Sequence, residues 1–345
     1  MIKVLIVDDS AIVRKVMSEE LAKYNDIEII GTAVDPYVAR DKIVKLKPDV
    51  ITLDLEMPRM DGLTFLAKLM RHYPLPVVVL SSLTPKNSET ALRALDLGAI
   101  DVLCKPGEAY STKNVSQNLA RSIRMAASSK IDVNQINIKM PVNNVSLKGL
   151  LTKTTHKVVA IGASTGGTKA IEAVLRSMPA TTPGTVVVQH MPENFTKSFS
   201  ERLNELCQME VREAKDNDHV VPGTALVAPG NYHMVLNRNG GVYIVKLKKG
   251  PRVHYQRPSV EVLFQSVAKN VGKNAVGVML TGMGGDGAKG MLAMKNSGAH
   301  TMAQDEASCV VFGMPKEAIK IGAANEVVPL NNVPQAIINA LKKKK

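Results

Sequence analysis

The sequence predicts an α/β protein of two doubly wound domains, the first on a five-stranded parallel sheet, the second on a mostly parallel sheet with a β-hairpin insertion. Three observations predict it. Short apolar runs alternate with amphipathic stretches along most of the chain, which is the pattern of crossover units in a parallel sheet. The alternation breaks at residues 128–155 (SSKIDVNQINIKMPVNNVSLKGLLTKTT), which are rich in Ser, Asn and Lys and have no sustained period. A length of 345 residues, at roughly 150 per domain, gives two domains.

In the first domain, strand-like runs fall at 2–7, 27–33, 49–53, 76–80 and 100–103, with helical patterns at 11–23, 35–46, 62–72, 86–97 and 113–127. In the second, strand-like runs fall at 157–161, 184–189, 209–213, 224–228, 232–236, 241–247, 274–280, 299–303 and 326–329. Helical patterns lie at 167–177, 195–206, 259–271, 286–297, 314–321 and 332–341. Residues 224–249 leave no room for helices between strands, hence the expected hairpin. The expected boundaries are 1–125 for the first domain, 126–155 for a linker, 156–341 for the second domain and 342–345 for a basic tail.

Composition narrows the function classes. With 45% apolar and 22% charged residues the chain is of the ordinary globular kind. No run approaches the ~20 apolar residues of a membrane span, and no charged-then-apolar leader opens the sequence. Cys104, Cys207 and Cys309 are far apart and in no metal-ligand spacing, so they read as reduced structural thiols. Cytoplasmic location is the expectation. The net charge of +13 divides as +1 over 1–125, +4 over 126–157, +4 over 158–341 and +4 in Lys342–Lys345. Charge placed largely in a linker and a tail, with 3% aromatics and no Trp, argues against nucleic acid as a partner.

The first chemical constellation is acidic. Asp8 and Asp9 end the first strand, Asp54 the third, Ser81 the fourth, and Lys105-Pro106 follow the fifth. A parallel sheet brings these to one edge. Three crowded carboxylates call for a divalent cation, and hard oxygen ligands suit Mg²⁺. Asp54 is then a phosphoryl acceptor, with Lys105 and Ser81 opposing the charge on the phosphoryl oxygens. VDDS at 7–10, DLEMPRMDG at 54–62 and DLGAIDVLCKP at 96–106 resemble the flavodoxin-like receiver domain of two-component response regulators. The resemblance implies Ser81 and Lys105 as switch residues, and metal ligation by Asp8, Asp9, Asp54 and the backbone carbonyl of Glu56. Val102 departs from it by standing where several receivers carry a switching aromatic.

The second constellation joins three strand ends. Gly162-Ala163-Ser164-Thr165-Gly166 follows the strand KVVAI and fits G-x-S-x-G, a tight turn that lifts a serine hydroxyl into solvent. A helix N-cap serine in a Gly-rich turn is the plainer reading of this match alone. His190 ends the strand TVVVQH and is the histidine best placed at a carboxyl strand end. Thr281–Gly287 (TGMGGDG) follows AVGVML and carries Asp286 with several unencumbered backbone N–H groups. Asp286 either orients the imidazole or caps the helix that follows, or both, while N–H groups near Met283–Gly285 face a tetrahedral oxyanion. Two competitors share the loop. Gly282, Gly284 and Gly287 satisfy G-x-G-x-x-G with Asp305 as a ribose-binding acid, although the motif lies late in its domain. Asp305 is also the second choice for the acid of the triad. A Walker loop is excluded, because no GK[ST] follows either glycine cluster.

GASTGG at 162–167, QHMP at 189–192 and LTGMGGDGA at 280–288, behind a receiver and a linker, resemble the chemotaxis protein-glutamate methylesterases, the CheB family. The resemblance implies a phosphorylation-activated hydrolase of receptor glutamate γ-methyl esters that also deamidates receptor glutamines, with the receiver blocking the site until Asp54 is phosphorylated. It implies Ser164, His190 and Asp286 as catalytic residues, and Thr165, Met283, Gly284 and Gly285 as the oxyanion and active-site loop. It further implies Mg²⁺ in the receiver, no cofactor for the ester chemistry, and a cytoplasmic monomer at chemoreceptor arrays. The partners are then methyl-accepting chemoreceptors and a chemotaxis histidine kinase, with no membrane insertion. A response regulator whose second domain binds a nucleotide or a partner without hydrolysis is the alternative.

Overall fold

The computed structural model describes residues 1–82, 84–105, 112–129 and 156–342. Most of the linker expected at 126–155, together with Pro106 and Lys343–Lys345, lies outside the described residues. The chain divides into two compact units, Met1–Lys139 and Met140–Lys345.

The first unit contains β1 (Ile2–Val7), β2 (Ile27–Ala33), β3 (Val50–Asp54), β4 (Val77–Ser81) and β5 (Asp101–Cys104). They form one sheet in the order β2-β1-β3-β4-β5, parallel throughout. Between and after them run α1 (Ala11–Leu21), α2 (Pro36–Leu46), α3 (Gly62–His72), α4 (Pro85–Asp96) and α5 (Thr112–Ser128). The helix starts follow local chemistry: Ser10, Asp35 and Asp61 each accept from backbone N–H groups of the first turn. The inner strands β3 and β4 are buried at every residue, as strands covered by helices on both faces must be. The chain order reverses between β1 and β3, and there the carboxyl ends open a crevice.

The second unit contains β6 (Val158–Ala163), β7 (Thr185–Gln189), β8 (Glu210–Glu213), β9 (Thr224–Val227), β10 (His233–Asn239), β11 (Val242–Lys248), β12 (Ala275–Met279), β13 (His300–Gln304) and β14 (Glu326–Val328). Its helices are α6 (Gly167–Arg176), α7 (Phe195–Leu206), α8 (Val260–Asn270), α9 (Ala288–Asn296), α10 (Met314–Lys320) and α11 (Val333–Lys342). Seven strands form the main sheet, β14-β13-β12-β6-β7-β9-β8, with every pairing parallel. The expected hairpin is present, but β10 and β11 pair antiparallel in a sheet of their own. The main sheet is thus uninterrupted.

The core of this unit packs Phe264 and Leu263 of α8, Met291 and Met294 of α9 and hairpin residues Met234, Leu236 and Val245 over sheet residues such as Val186 and Val188. Burying side chains of this size contributes roughly 2 kcal/mol each. Thus α8 stands between the sheet and the hairpin, and its first turn reaches the carboxyl edge of the sheet. The three cysteines are free, and burial pushes each thiol up to about 12.

Candidate active site

The sheet order of the second unit sets the site. β12, β6 and β7 are neighbours, and the segments leaving their carboxyl ends carry Asp286, Ser164 and His190. Hydrogen bonds continue past the ends of the strands. Ser164 N–H donates to Thr281 O at 3.0 Å, and His190 N–H donates to Ala163 O at 3.2 Å. The serine backbone is therefore pinned to one neighbouring strand end, and the residue before it to the other. Gln189 adds a side-chain tie, its Nε2 donating to Ser164 O at 2.8 Å and His190 O at 3.2 Å.

The turn after Ser164 needs its glycines. Gly166 has φ +74°, and a Cβ there would lie 2.6 Å from Val310 Cβ. Gly166 is also the residue at the start of α6, without a side-chain cap, so Ser164 is not the cap that the plainer reading made it. Across the site, a Cβ on Gly282 would lie 2.8 Å from Ser164 Cβ and 3.0 Å from Ser164 N. Gly282→Ala is therefore expected to displace Ser164 and lower kcat about tenfold or more. Circular dichroism and ester turnover on the same sample check whether activity falls further than fold content.

His190 and Asp286 form the pair at the centre of the site. His190 Nε2 lies 2.7 Å from Asp286 Oδ2, with the two side chains 5% and 2% exposed. Burial alone raises the Asp286 carboxyl. Hydrogen bonds from His190, Ser259 and Val260 outweigh it and hold the group below its ordinary value. An ionised carboxylate only accepts, so Nε2 carries the proton. Nδ1 is left as the basic nitrogen, and it is buried without a hydrogen-bond partner among the described residues.

Asp286 does not cap the helix that follows it. That helix begins at Ala288, preceded by Gly287 with φ +88° and no side-chain bond. Its carboxylate lies instead at the first turn of α8, accepting from Ser259 Oγ at 2.7 Å, Val260 N at 2.7 Å and Glu261 N at 3.1 Å. A helix N-terminus favours an anion there. Sequence reasoning missed Ser259, although a serine between Pro258 and an apolar periodic run is a helix-start signal.

The glycine loop after β12 is held from two sides. Thr281 Oγ1 lies 3.0 Å from Thr165 O, and Thr281 N–H donates to Gln304 Oε1 at 2.8 Å. The peptides of Gly313 and Met314 both donate to Gly282 O. Thr165 is buried, Met283 and Gly285 are half-buried, and Gly284 is exposed. Asp305 is occupied elsewhere, its Oδ1 accepting from the Ser308 N–H at 3.1 Å. That use leaves it outside the triad.

The rim of the site ties its strand-end loops together. Asn231 Nδ2 donates to Glu193 Oε2 at 3.2 Å. Arg257 Nε donates to Asn231 Oδ1 at 3.1 Å, and its Nη1 to Gly250 O at 2.7 Å. Between them the chain turns at Val253–Gln256, whose backbones exchange two hydrogen bonds of 3.1 and 2.9 Å. The central residues His254 and Tyr255 both have positive φ, 50° and 64°. A side chain in that region costs roughly 1 kcal/mol or more per residue, so the turn is strained at a functional edge.

The first unit carries the acidic constellation. Carboxylate oxygens of Asp8, Asp9 and Asp54 all lie within 4.8 Å of one another. Lys105 Nζ lies 2.9 Å from Asp8 Oδ2 and 2.7 Å from Asp54 Oδ2. Burial raises the Asp54 carboxyl to about 6 against the pull of Lys105. The two aspartates in turn hold Lys105 above its ordinary value although burial opposes this. Three hard oxygen donors at this spacing fit a Mg²⁺ ion. Ser81 is buried at the end of β4, one strand from Asp54, and Glu56 uses its carboxylate on Ser82 Oγ at 2.8 Å. Val102 is buried in β5.

Comparison with known proteins agrees with both halves. The family model described as CheB methylesterase matches residues 159–337, and that described as response regulator receiver domain matches residues 4–113. The chain is 60% identical over 339 residues to protein-glutamate methylesterase/protein-glutamine glutaminase 2 of Syntrophus aciditrophicus, covering 98% of each. It is 54% identical over 339 residues to the protein-glutamate methylesterase/protein-glutamine glutaminase of Salmonella typhimurium, covering 98% of this chain and 96% of the other. Among solved structures, the Thermotoga maritima CheB methylesterase catalytic domain matches with a TM-score of 0.53 and 38% identity, covering 54% of this chain and 98% of that one.

Proposed function

Because the chain belongs to the CheB methylesterase family, we propose that it is a protein-glutamate methylesterase and protein-glutamine glutaminase governed by phosphorylation of its own receiver. The observation that carries the catalytic half is the His190–Asp286 pair, which leaves a buried, unpartnered Nδ1 at the strand end next to the one carrying Ser164.

In this reading Ser164 Oγ attacks the γ-carbonyl carbon of a glutamyl methyl ester while His190 Nδ1 takes its proton. Asp286 holds the ring and stabilises the imidazolium. Backbone N–H groups of Thr165 and of Met283–Gly285 face the oxyanion of the tetrahedral intermediate. The intermediate collapses, the C–O bond to methoxide breaks, and His190 returns the proton so that methanol leaves. Water then attacks the acyl-enzyme, again with His190 as base, and releases free glutamate and Ser164. With a glutamine substrate the same steps release ammonia.

Control belongs to the first unit. Asp54 accepts the phosphoryl group, and Lys105 and Ser81 bind its oxygens. Asp8, Asp9, Asp54 and the Glu56 carbonyl would hold Mg²⁺, which offsets phosphoryl charge when bound. Phosphorylation relieves inhibition of the esterase by the receiver. We assign residues 1–125 to the receiver, 126–155 to a linker, 156–341 to the esterase and 342–345 to a basic tail. The substrates are methyl-accepting chemoreceptors and the phosphodonor is a chemotaxis histidine kinase. The enzyme works as a monomer in the cytoplasm at receptor arrays. Among the described residues, no helix is long and apolar enough to cross a membrane.

The test is methanol release from methyl-labelled receptor membranes, with and without a small-molecule phosphodonor. Asp54→Asn is expected to keep the unstimulated rate and lose all stimulation. Stimulation that survives the substitution would move the phosphoryl acceptor elsewhere.

A further inference from the structure

The charge of the second unit is not evenly spread. Residues 219–260 contain no Asp or Glu but six Lys or Arg: Arg238, Lys246, Lys248, Lys249, Arg252 and Arg257. Five make local contacts. Lys249 Nζ sits 5.1 Å from the Tyr232 ring centroid, Arg252 Nη1 donates to Tyr255 O at 3.4 Å, and Arg257 holds Asn231 Oδ1 and Gly250 O. The other two lie on the hairpin. Arg238 donates to Gly240 O, and Lys246 bonds Asn217 and faces Asp216 at 3.6 Å. For Lys248, Lys249, Arg252 and Arg257 no carboxylate among the described residues forms an ion pair. Lys248, Lys249 and Arg252 are exposed.

These cations border the catalytic residues. The loop from β11 to α8 carries them, and α8 opens with the Ser259 and Val260 groups that bind Asp286. A ring nitrogen of His254 lies within 4.8 Å of carboxylate oxygens of Asp286 and Glu261. Arg257, through Asn231, is tied to Glu193 on the segment leaving His190. The loop is therefore fixed relative to the triad rather than free beside it. Its tip, the strained turn described above, presents Tyr255 at 69% exposure.

We propose that Lys248–Arg257 is the docking surface for an acidic stretch of the substrate protein, with Tyr255 as its aromatic contact. The proposal rests on the esterase reading, which supplies the complementary charge: each hydrolysis turns a neutral ester into a carboxylate. A substrate with several glutamyl sites thus presents free carboxylates beside its remaining esters. Electrostatic docking of this kind acts on encounter and on KM, and is screened by salt.

The experiment uses the full chain and the triple variant Lys248→Glu/Lys249→Glu/Arg252→Glu, whose exposed positions leave the core untouched. Fluorescence anisotropy measures binding of a labelled polyglutamate peptide of about 20 residues and of phosphatidylserine vesicles, at low salt and at about 0.5 M salt. Receptor-membrane turnover supplies kcat and KM. The wild type should bind the peptide at low salt and release it at high salt. The variant should bind about tenfold or more weakly, with KM raised by a similar factor, kcat unchanged and the difference closing in high salt. Peptide binding that the variant retains would overturn the proposal, and so would vesicle binding without peptide binding. Methanol release without polyglutamate binding removes the docking surface alone. Salt-sensitive peptide binding without methanol release supports the surface and removes the esterase reading.

Discussion

Replacing Ser164 with Ala should lower methanol release by about 10⁴-fold or more, equivalent to roughly 5 kcal/mol of transition-state stabilisation. The oxygen that forms the acyl bond is lost, while the oxyanion loop and the substrate surface remain, so a small residual rate over water is expected. The fold should not change. Ser164 is held through its backbone, to Thr281 O, Gly167 N and Gln189 Nε2, and none of these bonds uses the hydroxyl. Turnover of labelled receptor membranes beside a urea melt of each protein checks both statements. An alanine variant within tenfold of wild type would remove Ser164 as nucleophile.

Asp286→Asn should cost as much activity and, unlike Ser164→Ala, stability as well. The carboxylate accepts from four donors: His190 Nε2, Ser259 Oγ, Val260 N and Glu261 N. An amide offers one oxygen and turns two N–H groups toward donors. Either His190 adopts the wrong tautomer or the first turn of α8 loses its acceptor. A loss of about 10⁴-fold in kcat is expected from the tautomer, and about 1–3 kcal/mol of stability from donors left unmet. The pH dependence has a definite sign. Because the folded Asp286 carboxyl lies below its ordinary value, its stabilisation is full above the usual carboxylate range and disappears as pH falls below about 4. Wild type should therefore lose urea resistance on acidification more steeply than Asp286→Asn. Equal slopes for the two proteins would contradict the bond pattern at Asp286.

Much of this architecture was legible before any coordinates. Runs such as VVVL at 77–80 and VVVQ at 186–189 have few ways to be buried other than as inner parallel strands, and both fall there. Motif residues at strand ends were equally readable, since a parallel sheet places Asp54 beside Asp8, and Ser164 beside His190, on register alone. What could not be read is what depends on elements meeting across the unit. The hairpin looked like an interruption of the main sheet because its strands have ordinary alternation, and only packing on α8 shows it as a separate sheet. Asp286 precedes a helix in sequence yet binds the first turn of another, 26 residues upstream at Val260. Gln304, which holds the glycine loop through the Thr281 N–H, carries no motif that would single it out. The charge of residues 219–260 was hidden by counting over the whole domain, where acidic residues elsewhere offset it.

The separate hairpin has an evolutionary consequence. Its two strands share no ladder with the seven-stranded sheet, so insertions, deletions and charge changes near Gly240 or Lys248 leave the register of β12, β6 and β7 unaltered. Selection can then retune recognition and chemistry as separate traits. A lineage that met new receptors would need to edit only the hairpin and the loop that leaves it, and exchanging both between homologues should transfer substrate preference while catalytic rates stay with the host.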